Sequence, residues 1–342
     1  MANKPFELYM DDFLTRRRQR FLAEGYFLWL KDFLTESVAF WTSTLPANGT
    51  EAERQAGAAW HRATDRFRLT LLRYTGGEDI LPMRSELETI VVAYEEYAAL
   101  RRVAQGDATY PPFLFGELGD YEQAMQLLSL CHLLHRRDLL PRMAAMLDPF
   151  YCAQDTLYED LLAYGIEGRF DVDKWYHDKP YRNLINGFYR DTEQESVDDL
   201  SMYLDNWYAD MKSAPWYRDS HLNQSRAGGS YVGYWAIEAA AAAYLLELDD
   251  TSLREQITYP GDLVTFAREF DEVESQAITP DITAMTVRTG ENCPETGIWK
   301  ARGHNIPGVL VRKGESMPEA FAPDKHGVYR PQPTVWEYER KA

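Results

Sequence analysis

The feature that most constrains the fold is a change of sequence pattern near residue 280. Up to about residue 275, apolar residues recur at the three- and four-residue spacing typical of amphipathic helices. The last 63 residues instead contain seven of the 17 prolines and six glycines, which separate short strand-like runs. The sequence therefore predicts a mainly α fold, an irregular bundle or array of antiparallel helices with a small β-rich C-terminal module.

The first helices carry clear boundary signals. Apolar residues continue almost throughout Glu7 to Thr44, which predicts one long helix or two helices joined near Gly25. Thr50 and Glu53 form a capping box at the start of the next helix, and Gly76 ends it. The residues expected on its buried face are Ala56, Trp60, Ala63, Phe67, Leu71 and Tyr74.

The rest of the chain is divided into shorter elements. Ser85 with Glu88 predicts a capped helix that ends at Gly106, and residues 107–119 form a loop. Further helices are predicted at about 120–135, 138–148, 154–164, 173–188, 194–211, 231–248 and 262–275. Strands are predicted at 284–288, 297–301, 308–312 and 334–338.

We expect three regions from these elements. Residues 1–190 form a helical N-terminal region, residues 191–278 a second helical region, and residues 279–342 the β-rich module packed on the helices. Hydrophobic residues make up 45% of the 342 residues and aromatic residues 13%, which is enough apolar material for a real core.

Charge and cysteine content restrict the compartment and the partners. A net charge of −18 repels nucleic acid and anionic membranes and favours basic partners, although it can also serve solubility alone. The three cysteines contain no close pair, so neither a disulfide framework nor a Cys-x-x-Cys zinc site is expected. The N-terminus lacks the pattern of a secretion signal, and the longest apolar stretch, 236–248, is too short to span a bilayer. We therefore expect a cytoplasmic protein.

The sequence shows no common catalytic or cofactor motif, so we predict no catalytic residue, cofactor or metal. Gly228-Gly229-Ser230 is better explained as a loop leading into a helix than as a phosphate loop. His132 and His135, beside Cys131, could hold a metal on one helix face, but no third or fourth ligand is evident. They are better explained as the polar flank of a core helix.

Two other groups of residues invite a functional interpretation. Cys293 and His304 could form a nucleophile and base, but only their local spacing supports this pair. A basic cluster on the first helix is more simply explained by pairing with internal acids than by binding of nucleic acid. Its members are Arg16, Arg17, Arg18 and Arg20.

An acidic segment is more informative. The stretch from 191 to 210 contains seven acids and neither Lys nor Arg. The helical spacing places Val197, Leu200, Leu204, Trp207 and Met211 toward the core, so the acids should project outward. Such a stripe can be merely solvated, or it can dock on a basic, DNA-binding surface. The candidate partner-binding residues are Asp191, Glu193, Glu195, Asp198, Asp199, Asp205 and Asp210.

A motif in the second helical region resembles a known family. It runs from Tyr217 to His221, continues through a Gly-Tyr-Trp…Glu-Ala-Ala helix and ends in Asp-Asp. This pattern is similar to the C-terminal domain of polymorphic nuclease immunity (PoNi) proteins, antidotes encoded beside bacterial DNase toxins that are often delivered by type VI secretion. The matching residues of the helix and its ending are Gly233, Tyr234, Trp235, Glu238, Ala239, Ala240, Asp249 and Asp250.

The C-terminal tail carries a second resemblance. The run from Cys293 to Trp299, then 314–318 and Trp336, resembles a module of related immunity proteins, which the usual nuclease immunity domain lacks. Small side chains in 239–243 indicate close helix packing, so the motif residues, Tyr217 and His221 included, should hold the fold rather than contact a toxin. Glu238 should either be buried with a partner, such as His221 or a Tyr hydroxyl, or face solvent.

The resemblance implies an immunity protein that neutralises a cognate toxin by direct occlusion. The implied partner is the basic nuclease domain of a type VI secretion effector, with neither nucleic acid nor membrane as a partner. Two alternatives stay open, an enzyme without a recognised motif and a helical scaffold or adaptor. The chain could also form a homodimer.

Overall fold

The computed structural model describes residues 13–218, 221–225, 229–270, 286–302, 308–323 and 329–341. Clustering of contacts divides the chain into two compact units, Met1–Glu269 and Phe270–Ala342. We refer to the described part of the first as the helical unit and to that of the second as the β unit. The fold class predicted from the sequence is confirmed, because helices dominate the chain and a small antiparallel sheet follows them.

Ten α-helices are described in the helical unit, numbered in chain order. They are α1 (Glu24–Ser43), α2 (Glu51–Thr75), α3 (Met83–Gln105), α4 (Leu118–Leu133), α5 (Leu140–Tyr151), α6 (Thr156–Ala163), α7 (Arg182–Gly187), α8 (Glu193–Asp210), α9 (Ile237–Leu245) and α10 (Gly261–Glu269). Short 3₁₀ helices lie at Arg137–Leu139, Pro215–Arg218 and Leu253–Glu255. Among the described residues, no helix is both long and apolar enough to cross a bilayer.

The core of the helical unit is continuous from Phe13 to Ala267. Helix α4 lies inside it, because its sequence is apolar around nearly its whole circumference and almost every side chain is buried. It contacts α9, whose five consecutive alanines at 239–243 are all fully buried and allow a close approach. Helix α6 packs against α4 as well.

Most predicted helix boundaries agree with the structure. The Thr50–Glu53 capping box is present with both of its hydrogen bonds, and Gly106 ends α3 in a left-handed conformation. The predicted buried face of α2 is confirmed except for Trp60, whose surface is 42% exposed. The predicted capped start at Ser85 is wrong, since α3 begins at Met83 and the Ser85 hydroxyl donates back to Pro82 O.

The region predicted as one or two helices over 7–44 is broken before Gly25. Residues 13–16 are helical, and the chain leaves the helix at 17 before α1 begins at Glu24. The break buries Gln19, whose Nε2 donates to Tyr234 O (2.6 Å) and Ile257 O (2.9 Å). Its Oε1 accepts from the Tyr231 hydroxyl (2.6 Å), so a side chain rather than a glycine interrupts the helix. Residues 7–12 lie outside the described residues.

Two predicted helices are much shorter in the structure. Residues 173–181 are not helical, because the backbone there pairs with the start of α6, where Thr156 N donates to Lys174 O (2.6 Å). Residues 231–236 are not helical, because Tyr234 N donates to Gln19 Oε1 (2.9 Å) and Ala236 N to Thr258 O (2.9 Å). Tertiary hydrogen bonds therefore replace helical ones at both places.

The β unit contains a four-stranded antiparallel sheet and a two-stranded one. The strands are β1 (Thr286–Arg288), β2 (Gly297–Ala301), β3 (Val309–Val311), β4 (Ala320–Pro323), β5 (Tyr329–Gln332) and β6 (Val335–Lys341). The larger sheet has the order β1-β6-β2-β3, and β4 pairs with β5. Its core includes Trp299 and Trp336, both fully buried. The sequence missed β4 and β5, because Pro323 and Pro331 were interpreted as turn residues.

Candidate functional site

The predicted core face of the acidic helix α8 is confirmed. Val197, Leu200, Leu204, Trp207 and Met211 are all buried. Thr192 is the N-cap of α8, and its side chain accepts a hydrogen bond from Glu195 N (3.3 Å). The acids of the first turn are also stabilised by the helix dipole.

Six of the seven candidate acids lie outside the core. Five are exposed and Asp210 is half-buried, the exposed ones being Asp191, Glu193, Glu195, Asp198 and Asp205. Among the described residues, none of these six forms an ion pair with Lys or Arg. Two of them accept hydrogen bonds from neutral side chains. Gln194 Nε2 donates to Asp198 Oδ1 (2.8 Å), and Gln256 Nε2 donates to Asp205 Oδ1 (2.5 Å).

The outward orientation predicted for Asp199 is wrong. Its side chain is only 2% exposed, and its Oδ2 accepts from Arg190 Nε at 2.5 Å. Arg190 lies just outside the segment that the sequence pattern covered, so the buried partner was not considered. Asp199 therefore fixes the chain that leads into α8 and does not belong to the acidic surface.

Exposed aromatic rings lie beside the start of this helix. Tyr189 is 55% exposed, and its hydroxyl donates to Asp160 Oδ1 (2.8 Å). Phe188 packs near Tyr164, with ring centroids 6.2 Å apart. Burial raises the pKa of the half-buried Asp160 to about 6. We call this set the aromatic–acidic surface, comprising Asp160, Tyr164, Phe188, Tyr189, Asp191, Glu193, Glu195 and Asp198.

A cavity of about 400 Å³ opens elsewhere in the helical unit. Helices α2 and α4, the 3₁₀ helix at 215–218 and the segment 230–235 form its walls. Trp60, Trp216 and Tyr234 supply aromatic surface, and Asp120 and Glu122 supply carboxyl groups. Burial raises the pKa of Glu122 to about 8, although Trp216 Nε1 donates to its Oε2 (2.6 Å).

The Gly-Tyr-Trp part of the family motif forms one wall of this cavity. Gly233 has φ of +127°, and a Cβ there would collide with the Thr75 hydroxyl and the Trp235 indole. Trp235 Nε1 donates to Thr75 Oγ1 (2.8 Å), and that hydroxyl donates to Val232 O (2.5 Å). These hydrogen bonds join the motif to the end of α2 and hold the wall in place.

The other motif residues of the helical unit are mostly internal. Of the two environments predicted for Glu238, the structure has the buried one, with the Tyr181 hydroxyl donating to its Oε1 (3.3 Å). Asp250 is buried, accepting from Tyr259 (2.9 Å) and forming an ion pair with Arg268 (2.7 Å). Asp249 is exposed and caps the turn at 251.

Tyr217 and His221, at the start of the motif, are half-buried. The His221 ring lies against Phe21 at 4.3 Å between centroids, and its backbone N donates to the Tyr234 hydroxyl (2.9 Å). The Tyr217 ring lies 5.0 Å from that of Tyr208. His221 therefore contacts Tyr234 of the cavity wall, whereas Tyr217 contacts Tyr208.

In the β unit, the tail motif residues Cys293 and Trp299 are buried. The Cys293 thiol donates to Glu295 O (3.1 Å), and Trp299 Nε1 donates to the same carbonyl (3.3 Å). His304, which could act as the base beside Cys293, lies outside the described residues.

The histidines that could have held a metal are engaged separately. His132 is fully buried, donates from Nε2 to Leu161 O (2.8 Å), and has its pKa lowered to about 4 by burial. His135 Nε2 contacts Ala267 O at 2.7 Å instead. Within the described residues, no group of three His, Cys, Asp or Glu side chains could hold a metal ion.

Two members of the basic cluster form ion pairs or hydrogen bonds within the protein, and Arg16 and Arg20 lie over the rings of Phe13 and Phe21, each at 5.4 Å. Arg18 forms an ion pair with Asp262 and lies over the Tyr74 ring at 4.3 Å. Arg17 Nη1 donates to Leu22 O (2.5 Å). Pairing with an internal acid is thus observed for Arg18, as the sequence interpretation expected.

Neither the cavity nor the aromatic side of the surface was predicted from the sequence. Asp160 lies on α6 whereas Phe188 and Tyr189 directly follow α7, and only the fold brings them together. Trp60 and Glu122 each follow a helical pattern, which gives no sign that a cavity lies between their helices. The Gly-Tyr-Trp motif was the one available signal, and it was interpreted only as packing.

One family of known proteins matches a segment of the helical unit. Residues 153–263 match the family model described as PoNe immunity proteins (PoNi), C-terminal. This segment is therefore similar to the PoNi C-terminal domain. It includes the whole aromatic–acidic surface and the motif wall of the cavity. A PoNi domain implies immunity to a nuclease toxin, and the resemblance found in the sequence is confirmed. The resemblance of the tail beyond residue 263 stays a prediction.

A solved structure shares the fold of the helices. The crystal structure of protein PA2201 from Pseudomonas aeruginosa matches with 21% identity and a TM-score of 0.59. The alignment covers 78% of this chain and 98% of that protein. At this identity the match shows a common fold. No curated protein matches the sequence.

Proposed function

We propose that this protein is an immunity protein that binds the nuclease toxin of a type VI secretion effector–immunity pair in the cytoplasm and blocks it by direct occlusion. The observation that carries the proposal is the PoNi match at 153–263, which coincides with the aromatic–acidic surface. The protein acts without catalysis, as the partner of a single toxin.

The charge of the surface supports this mechanism. A nuclease holds the phosphates of its substrate with Lys and Arg side chains. Exposed acids such as Asp191, Glu195 and Asp198 form no ion pair with Lys or Arg among the described residues, so we infer that they pair with those cations. The net charge of −18 also accelerates the approach of a basic protein.

Charge alone rarely gives tight inhibition, because exposed ion pairs contribute little energy. The energetic centre of an interface is usually a few aromatic side chains that lose contact with water. Tyr164 and Tyr189 are 38% and 55% exposed at the edge of the acids. We infer that these rings are buried by the toxin, while the acids orient it.

Charge reversal tests the surface. The variant Asp191→Lys, Glu195→Lys, Asp198→Lys should slow association with the toxin encoded beside this protein by at least about tenfold at low salt. The effect should shrink as salt increases. Surface plasmon resonance would measure the rates, and survival of toxin-expressing cells would measure protection.

A matched control reverses exposed acids elsewhere on the helical unit, in the variant Asp32→Lys, Glu36→Lys, Asp79→Lys. It makes the same change in net charge. Equal slowing of association in both variants would show that only the total charge matters. Wild-type association rates in the first variant would show that the aromatic–acidic surface does not contact the toxin.

Stoichiometry separates occlusion from the alternatives. Occlusion requires about one molecule of this protein per toxin for full inhibition of nuclease activity in a titration. Complete inhibition by far less than one equivalent would indicate an enzyme acting on the toxin. Weak binding to several unrelated proteins would instead indicate an adaptor. Light scattering of the protein alone would test the homodimer, which stays a prediction.

A further inference from the structure

The cavity in the helical unit has an aromatic mouth and a carboxyl group in its wall. Trp60 stands at the opening with 42% of its surface exposed, and Trp216 and Tyr234 line the interior. Trp216 is fixed, because its ring stacks on Trp207 at 5.4 Å with an interplanar angle of 19°. The cavity therefore offers rigid aromatic faces rather than flexible chains.

Glu122 is the most deeply buried acid in the wall. Its side chain accepts from Trp216 Nε1 (2.6 Å) and from Gln126 Nε2 (3.3 Å), and the residue is 6% exposed. Gln126 also donates to Trp235 O (3.0 Å), which orients its amide. The carboxyl group is thus held by neutral donors and has no cation beside it among the described residues.

A second carboxyl group adds to this imbalance. Glu238 is fully buried, and its Oε2 has no hydrogen-bond partner in the described part of the chain. It lies close enough to Glu122 for the two charges to repel, which raises the pKa of Glu238 further. Two buried acids near one cavity are stabilised by any cation that enters it.

Among the described residues, the one basic side chain in the wall, Arg68, is already compensated. Arg68 pairs with Asp65 at 3.2 Å, and Asp65 is held by the Ser37 hydroxyl (2.7 Å). Asp120, a further acid of the wall, is half-buried and accepts from Leu114 N (2.9 Å). Among the described residues that line the cavity, the other charged side chains are therefore acidic, beside neutral polar ones such as Gln123 and Ser230.

We propose that this cavity binds the guanidinium group of one arginine side chain of the toxin, stacked between the aromatic rings and bonded to Glu122. A guanidinium is flat, stacks on Trp and Tyr, and presents several N–H donors to a carboxylate. Its entry would allow Glu122 to ionise. The identity of the partner rests on the proposed function, whereas the chemistry of the cavity does not.

A small probe tests the cavity without the toxin. N-acetyl-arginine amide should bind with a dissociation constant of about 1 mM and shift the indole N–H signals of Trp60 and Trp216 in NMR spectra. N-acetyl-citrulline amide has nearly the same shape without the charge and should bind at least about tenfold more weakly. Equal binding of the two probes, or no shift of either indole signal, would overturn the inference.

Two variants identify the groups that bind. Glu122→Gln should weaken binding of the arginine probe about tenfold, and Trp60→Ala should weaken it severalfold. Glu96→Gln, an exposed acid outside the cavity, serves as the control. Should Glu122→Gln fail to fold, Trp60→Ala still tests the site, because Trp60 is partly exposed. Unchanged binding of the arginine probe by Trp60→Ala would show that the probe binds elsewhere.

The two proposals fail in different ways. A protein that protects against its toxin but does not bind the arginine probe would refute the cavity inference alone. A protein that binds the probe but no toxin would refute the immunity function while leaving a guanidinium site. In the complex, Glu122→Gln should speed dissociation of the toxin, whereas reversal of the acidic surface should slow association.

Discussion

The helical unit and the β unit have interiors of different chemistry. The helical unit buries Gln19, Glu122, His132, Glu238 and other polar groups within its core. In the described residues of the β unit, the buried side chains are apolar or aromatic, with Cys293 the sole thiol. The stability of the helical unit therefore depends on the hydrogen bonds and charge states of buried polar groups, whereas the described core of the β unit contains no buried carboxyl group or histidine.

This difference matters for function. A polar interior can present a preorganised cavity such as the one beside Glu122, but it makes stability depend on pH. An apolar interior is insensitive to pH and offers no such site. The PoNi match lies wholly in the helical unit. The two interiors predict different responses to substitution and to pH.

The largest effect is expected from emptying the core of the β unit. Trp299→Ala removes a fully buried indole and should destabilise this unit by about 3–5 kcal/mol, which is enough to unfold a small sheet. Hydrogen exchange resolved by mass spectrometry should show full exchange in peptides from 286–341 and unchanged protection in α4. Leu310→Ala, at an exposed position of β3, is the control. Loss of protection in both units would contradict two separate cores.

A smaller loss is expected from a polar residue inside the helical unit. Gln19→Ala leaves the Tyr231 hydroxyl and the Tyr234 backbone without partners and should cost about 2–3 kcal/mol. Urea unfolding followed by circular dichroism would measure it. Gln194→Ala, which removes one exposed hydrogen bond, should change stability by less than about 0.5 kcal/mol. Similar losses in the two variants would mean that the Gln19 network contributes nothing specific.

The helical pattern predicted most of the fold, because the regular spacing of buried apolar residues is visible in the sequence. Thr50 with Glu53 and the apolar face of α8 depend on neighbours within one helix, and both were predicted correctly. Residues 231–236 were predicted wrongly, since Gln19, more than 200 positions away, supplies their hydrogen bonds. Long-range polar contacts of this kind produce no periodic pattern in the sequence.

The pH dependence of the helical unit should follow from Glu122. Its pKa in the folded protein, about 8, exceeds the ordinary 4.5, so the folded state holds a proton that the unfolded state has lost. Stability should therefore fall as pH rises from 6.5 to 8, by at most about 1.4 kcal/mol per pH unit from this group. Glu238, whose pKa is also raised, acts in the same direction.

Urea unfolding of the helical unit at several pH values would measure this slope. Glu122→Gln should make it shallower, whereas Glu167→Gln, at an exposed position, should leave it unchanged. His132 does not interfere, because its lowered pKa affects stability only as pH falls from 6.5 toward 4. A slope that survives the loss of Glu122 would assign the dependence to other groups.

The candidate site was less predictable than the fold. The sequence identified exposed acids on α8 because hydrophobic spacing fixed the opposite face. It misplaced Asp199, because burial of an acid depends on a partner such as Arg190 and not on spacing. The surface aromatic Tyr189 lies between the helices predicted at 173–188 and 194–211, and the structure ends the first of them at Gly187.

The smallest effect tests whether a capping pattern predicts a cap. Thr50 accepts from Glu53 N and caps α2, whereas Ser85, in an equivalent sequence pattern, lies inside α3 and caps nothing. Thr50→Ala should therefore cost about 1 kcal/mol. Ser85→Ala removes only an exposed hydrogen bond to Pro82 O and gains helix propensity, so it should be neutral or slightly stabilising. Both values come from urea unfolding of the helical unit. Equal costs would mean that the start of α3 lies at Ser85 in solution.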